Sequence, residues 1–238
     1  MIVGKHKNRG NDMSEIKVVF FDRDNTLTYK NQSVLNKYYK LVESVSGKPF
    51  CEDKQKMFET FKQIKDQGFC TDSYEKEVLF YMQYYKQVLI NQCGYCDEKI
   101  EATAKQIFDI MWLGDRLLFD DVLPTFKELK KMGIQIGIIS DTTLSLQKTF
   151  EALGLSEYID CYTSSKEVGV MKPNPQIYLS ALGKLNVTPQ QCLYVDDYDE
   201  EVVGALNLGI KSFRINRTED ANRLEFDISS LTELLKFI

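Results

Sequence analysis

The sequence predicts an α/β fold: a doubly wound, Rossmann-like parallel sheet interrupted after its first strand by an all-helical insert. Three observations carry the prediction. Downstream of residue 116, short apolar runs alternate with amphipathic helical patterns. Between residues 33 and 113 the periodicity is helical, with no convincing strand. Three apolar runs also stop abruptly in polar residues, at Asp22/Asp24, Ser140/Asp141 and Asp196/Asp197. In a parallel sheet such ends share one edge, the edge at which open α/β folds bind ligands.

The first strand is read over Lys17–Phe21. Four stripes follow at helical spacing, led by Leu35, Tyr38, Tyr39, Val42 and Val45, and then by Met57, Phe61 and Ile64. The third comprises Tyr74, Val78, Tyr81, Met82, Tyr85 and Leu89, the fourth Ile100, Ala104, Ile107, Phe108, Met111 and Trp112. Apolar residues at that period share a face, so a small helical bundle is expected, its tyrosines mostly core. Beyond it, Val122–Met132 reads as a helix ended by Gly133, and Ile134–Ile139 as a strand. Leu144–Leu153 reads as a helix closed by Gly154, and Tyr158–Tyr162 as a short strand. Pro175 suits a first helical turn and opens a helix to Leu185. Cys192–Val195 is a strand, followed by a helix to Leu208 and a strand over Lys211–Ile215. The organisation expected is a flexible tail over 1–15, an α/β core from 16–29 and 116–238, and a helical insert over 30–115.

The 238 residues suffice for one large or two modest domains, and 43% apolar content suits a globular chain with a real core. No apolar run is long enough to cross a bilayer, so no membrane partner is expected. The basic first residues, Lys5 to Arg9, lack the apolar segment of a secretory signal. A net charge of −5 with no basic stripe argues against a nucleic-acid partner. Six scattered cysteines fit a reducing cytoplasm, and the lone pair Cys93/Cys96 reads as structural rather than as a zinc or redox site. The single histidine is His6, which sets aside Ser-His and Cys-His catalysis. The chemistry must then run on carboxylates, lysine, hydroxyls and a hard cation.

Asp22 and Asp24 alternate along an extended chain and so point to one side. Two carboxylates this close in a partly dry site need a cation between them to stay ionised. That points to a metal, and to a nucleophile beside an acid/base. Lys172-Pro173-Asn174-Pro175 adds a lysine in a stiff turn before a helix. Four segments now stand in order: Asp22-Arg23-Asp24-Asn25-Thr26, Ile139-Ser140-Asp141, Lys172-Pro173, and Val195-Asp196-Asp197 continuing to Glu201, Gly204 and Ala205. Together they resemble the four motifs of the haloacid dehalogenase-like (HAD) superfamily, in the subfamily whose helical cap follows the first strand. The resemblance covers the chain from about 16 to 216.

The resemblance implies a magnesium-dependent phosphatase acting on a small phosphorylated metabolite. Asp22 would be the nucleophile that forms an aspartyl-phosphate, and Asp24 the general acid/base, which needs a raised pKa. Lys172 and magnesium would offset the phosphate charge, while the Ser140 hydroxyl and N–H groups near Asp141 grip phosphoryl oxygens. Asp22, the Asp24 backbone carbonyl and Asp196 resemble the family's magnesium ligands. The chain departs from the pattern where Asn25 replaces a common glycine, Asp141 a common asparagine and Glu201 a second aspartate, which leaves Asp197 and Glu201 without assigned roles. Specificity is expected from the insert and its hinges, near Thr28, Arg116, Asp120 and Asp121, with Arg116 either a substrate clamp or a hinge salt bridge. A cytoplasmic monomer or homodimer is expected. Alternative readings are a phosphosugar mutase-type phosphoryl transfer and a non-catalytic regulator that binds a phosphorylated ligand. Carbon–halogen cleavage is disfavoured because it does not need Asp24.

Overall fold

A computed structural model describes residues 15–217 and 226–238. The tail expected over 1–15 falls, but for its last residue, outside them.

Strand β1 (Val18–Phe21) is buried at every position, as a central parallel strand must be. Its alternate side chains feed opposite cores: Val19 and Phe21 one, Val18 and Phe20 the other. β4 (Gln135–Ser140) and β6 (Cys192–Asp196) flank it, both parallel to it, with Phe21 opposite Ile138 on one side and Val195 on the other. β5 (Cys161–Ser164) extends the sheet beyond β4, and β7 (Lys211–Ile215) with the short β8 (Asp227–Ile228) extends it beyond β6. The order is therefore β5-β4-β1-β6-β7-β8. The chain builds outward from β1 on one side, then returns to build on the other, which makes the carboxyl end of β1 a topological switch point.

Helices α5 (Val122–Lys131) and α6 (Leu146–Ala152) bury Phe126, Leu129, Leu146 and Phe150 against one sheet face, joined there by Leu231 and Leu234 of the C-terminal segment. On the other face, α8 (Pro175–Leu185) contributes Ile177, Tyr178 and Ala181, and α9 (Asp199–Leu206) contributes Ala205. The doubly wound α/β architecture expected from the alternating texture is thus present, with shifted boundaries. Lys17 lies outside β1. The helix read over Leu144–Leu153 shortens at both ends to α6, and Tyr158 belongs to a 3-10 turn, Ser156–Tyr158, so the strand expected at Tyr158–Tyr162 starts at Cys161.

Between Lys30 and Arg116 lie four helices: α1 (Gln32–Ser46), α2 (Lys54–Asp66), α3 (Tyr74–Cys93) and α4 (Ile100–Met111). Asn31, Asp53 and Ser73 cap the first three, each side chain accepting from backbone N–H groups of the first turn. Their stripes meet in a separate apolar cluster that buries Tyr38, Ile64, Phe80, Leu89 and Ile107 completely. A two-stranded antiparallel ribbon that periodicity does not reveal, β2 (Thr28–Lys30) with β3 (Arg116–Leu118), brackets the helices. It brings the two chain crossings side by side and sets Lys30 opposite Arg116.

One glycine fixes how close α9 approaches the loop that carries Lys172. A Cβ on Gly204 would stand 2.6 Å from the Pro173 Cβ and 3.1 Å from its carbonyl oxygen. Gly204→Ala is expected to cost about 1–3 kcal/mol in denaturant unfolding, because a rigid ring and backbone cannot yield cheaply. A variant as stable as the parent would show that this contact is loose.

Candidate active site

The sheet delivers its acids by register. Asp22 follows the last residue of β1, and its N–H donates to the Val195 carbonyl at 2.9 Å, so Asp22 and Asp196 sit on neighbouring strands at one level. Asp141 follows β4 on the other side. The Lys172 side chain, 2% exposed, closes the group. Its Nζ lies 2.7 Å from Asp22 Oδ1, 2.7 Å from Asp196 Oδ2 and 2.5 Å from Glu201 Oε2. The Tyr194 hydroxyl donates to the same Asp196 oxygen, and Asp196 Oδ1 accepts from the Tyr198 N–H at 3.0 Å.

Three carboxylates here share one ammonium. Burial alone would lower the Lys172 pKa, but Asp22, Asp196 and Glu201 reverse this and hold it well above the ordinary value. The acids show the complementary effect. Burial pushes Asp22 up to about 7 against the pull of Lys172, with Asp196 adding to the rise. Burial also pushes Asp196 up to about 6, again against Lys172 and with help from Glu201. One ammonium cannot neutralise three acids, two of them buried, so without another cation the cluster retains a proton near neutrality.

Asp24 faces a different environment. Arg23 clasps it through Nε at 2.8 Å and Nη2 at 3.0 Å, Arg116 adds Nη1 at 2.8 Å, and the Thr28 hydroxyl lies at 3.4 Å. Burial would raise this carboxyl, but Arg23 and then Arg116 outweigh it and hold Asp24 below the ordinary carboxylate value. The raised pKa expected of Asp24 is therefore not present in this arrangement, because two guanidinium groups favour its charged form. Arg116 makes a salt bridge beside the hinge ribbon, one of the two readings its position allowed.

Of the predicted residues, Asp22, Lys172 and Asp196 converge, and Asp24 stands beside them on its arginines. Ser140 ends β4 and is buried. The Asp141 side chain accepts from the Lys172 N–H at 3.0 Å, so it braces the lysine loop. Glu201, unassigned from sequence, joins the cluster, whereas Asp197 accepts from Asn25 Nδ2 at 3.1 Å. The first turn of α9 supplies the difference: it carries Glu201 back over the sheet edge. Asp121, a hinge candidate, ties the core together by pairing with Arg217 at 3.0 Å and accepting from the Leu231 N–H. Sequence reasoning missed Tyr194, Arg23 and Glu77. Glu77 of α3 is wholly buried and accepts from the Ser145 N–H at 3.0 Å, the Ser145 hydroxyl at 2.6 Å and the Thr143 hydroxyl. A glutamate inside the apolar stripe of α3 was the available signal.

Two spaces lie between the helical insert and the core. A cavity of about 140 Å³ lies between α3, α4 and the loop after Asp141, with Arg23, Arg116, Glu77 and Asp115 in its wall. A wider crevice of about 660 Å³ runs between the α2–α3 connection and Asp141, Thr142 and Lys166.

The acids suit a hard divalent ion. Oxygens of Asp22, Asp196 and Glu201 all lie within 4.8 Å of one another. Three carboxylates and one ammonium leave a net double negative charge, and an all-oxygen donor set matches magnesium or a similar ion.

The α/β core thus carries buried carboxylates and a lysine at its switch point. The sequence profile of the haloacid dehalogenase-like hydrolases matches residues 16–209, and the chain belongs to that family. It is 26% identical over 231 residues to a glyceraldehyde 3-phosphate phosphatase of Methanocaldococcus jannaschii, covering 94% of this chain and 97% of that one. A second protein of that name, from Methanopyrus kandleri, is 31% identical over 130 residues, but the match spans 50% of this chain and only 56% of the relative. Among solved structures, a 2-haloacid dehalogenase from Pseudomonas syringae superposes with a TM-score of 0.65 at 21% identity, covering 93% of this chain and 97% of that one. That likeness concerns the fold.

The raised carboxyls set a pH dependence. A folded-state pKa of about 7 or 6, above the ordinary 3.8, means the folded protein binds more protons than the unfolded chain in that interval. Metal-free protein is therefore expected to lose stability as pH rises from about 4 to about 7, and to regain it when magnesium is added. Melting curves across pH in chelator, for the parent and Asp22→Asn, check this. The variant should gain on the parent as pH rises, and parallel curves would contradict the charge assignment.

Proposed function

We propose that this protein is a magnesium-dependent phosphatase that hydrolyses a small phosphorylated metabolite through an aspartyl-phosphate on Asp22. The observation that supports it most is the sharing of Lys172 by Asp22, Asp196 and Glu201 at the switch point of the sheet. In this reading Asp22 attacks phosphorus and forms the P–O bond as the ester oxygen departs. Lys172 holds the attacking carboxylate and offsets charge on the phosphoryl oxygens, which the Ser140 hydroxyl and the N–H groups around Asp141 also bind. Asp22, Asp196 and the Asp24 carbonyl are the proposed metal ligands, with Glu201 beside them. The ion, when bound, supplies further neutralisation of phosphoryl charge.

Asp24 gives a proton to the leaving oxygen and later takes one from the water that cleaves the acyl phosphate. Giving that proton requires Asp24 first to gain one, which its pairs with Arg23 and Arg116 oppose. Movement of either arginine in the substrate complex would release the carboxyl for this task. The helical insert shields the leaving group from water. We place the protein in the cytosol, a reading supported by its six free cysteines. Among the described residues no helix is long and apolar enough to cross a membrane.

Phosphate release from a panel of small phosphate esters, with and without magnesium, tests the reading. Asp22→Asn is expected to reduce turnover by about a thousandfold or more while leaving the far-ultraviolet spectrum unchanged. Activity within a few-fold of the parent would refute the covalent route. Asp24→Asn should lose roughly a hundredfold or more on alkyl phosphates, yet far less on p-nitrophenyl phosphate, whose leaving group needs no proton. Equal losses on both would remove Asp24 from the acid role.

A further inference from the structure

The cavity beside Asp24 carries information about the leaving group. Its wall contains two cations, Arg23 and Arg116, and two acids, Glu77 and Asp115. Both cations are already committed: Arg23 is bidentate on Asp24, and Arg116 holds Asp24 at 2.8 Å with Asp115 at 3.9 Å from its Nε. Glu77 reaches the cavity from the helical insert, and its three hydrogen-bond partners are hydroxyls and an N–H rather than a cation. The wall itself is balanced, but Asp24, outside the lining, already engages both guanidinium groups, so the cluster as a whole has three carboxylates to two cations. The rest of the lining is uncharged and includes the aromatic rings of Tyr81 and Trp112 and the Thr142 hydroxyl.

We propose that this cavity receives the leaving group of the substrate and selects a small, uncharged, hydroxylated one, with Glu77 and Asp115 as the residues that exclude a second anion. The proposal rests on the phosphatase reading and adds the substrate class to it. A carboxylate or second phosphate entering the cavity would meet Glu77 and Asp115 and would have to compete with Asp24 or Asp115 for a guanidinium. Like charges brought together in a site with little water repel strongly. A short polyol or hydroxy-carbonyl group meets hydroxyls, spare guanidinium N–H groups and ring faces at no such cost. The small volume sets a length limit in the same direction.

A matched pair of substrates provides the test. Glycerol phosphate and phosphoglycerate have the same carbon count and differ by a hydroxymethyl against a carboxylate. With the full chain and magnesium, kcat/KM is expected to favour glycerol phosphate by about tenfold or more, the difference lying mainly in KM. Asp115→Asn removes one of the two acids of the wall and should narrow the ratio by about threefold or more through a lower KM for the acid. Glu77→Gln keeps the shape and most of the hydrogen bonding, and should narrow it likewise. Equal or better use of phosphoglycerate by the parent would overturn the proposal even if either variant failed to fold. An unchanged ratio in well-folded variants would remove Glu77 and Asp115 from the role. Hydrolysis of neither ester, nor of p-nitrophenyl phosphate, would sink the phosphatase reading and this inference with it.

Discussion

Charge imbalance at the carboxyl edge of the sheet governs this molecule. Asp22, Asp196 and Glu201 surround the single ammonium of Lys172, and all but Glu201 are nearly inaccessible to solvent. Folding alone would not favour such a cluster, since each buried charge costs several kcal/mol that one counter-ion cannot return three times over. The cost is met by the apolar sheet beneath: every side chain of β1 is buried, and the helices on both faces hold β4, β1 and β6 in register. A rigid platform can carry such a set of acids, and their surplus of charge suits a divalent ion.

Asp24, two residues along, is handled in the opposite way. Its carboxylate is matched by Arg23 and Arg116, and the second of these arrives on the ribbon that joins the helical insert to the sheet. The insert meets the core again where Glu77 engages Thr143 and Ser145, directly after Asp141, and where Asp72 pairs with Lys166 at 2.7 Å. Polar contacts thus join the helices to both loops that flank the acids. They can be broken and remade more readily than an apolar seam, which fits the proposed role of the insert in shielding the leaving group.

Much of this was legible in the sequence, for identifiable reasons. A buried strand that stops at an acid announces its own end, so Asp22, Asp141 and Asp196 could be placed on one edge before any coordinates. Lys172 was legible from its stiff turn. Helical periodicity gave all four insert helices, because apolar stripes of that length have few other solutions. What was hidden depended on pairings distant in sequence. Ribbon strands of three residues carry no periodic signal, so Arg116 stood open between a substrate clamp and a hinge salt bridge, and Asp24 was not legible as its partner. The choice between Asp197 and Glu201 turned on where α9 begins, a detail of one helical turn. The clasp of Arg23 on Asp24 reverses the charge state assigned to that carboxyl, and neighbouring residues in sequence do not announce whether their side chains will meet.

Asp22 and Asp196 are together proposed to hold a divalent ion. Crystals soaked in manganese, with diffraction recorded at the metal's absorption edge, test it most directly. The account requires an anomalous peak at about 2.2 Å from oxygens of both Asp22 and Asp196, with Lys172 still beside them. A peak elsewhere, or none at saturating manganese while the fold is intact, would contradict it.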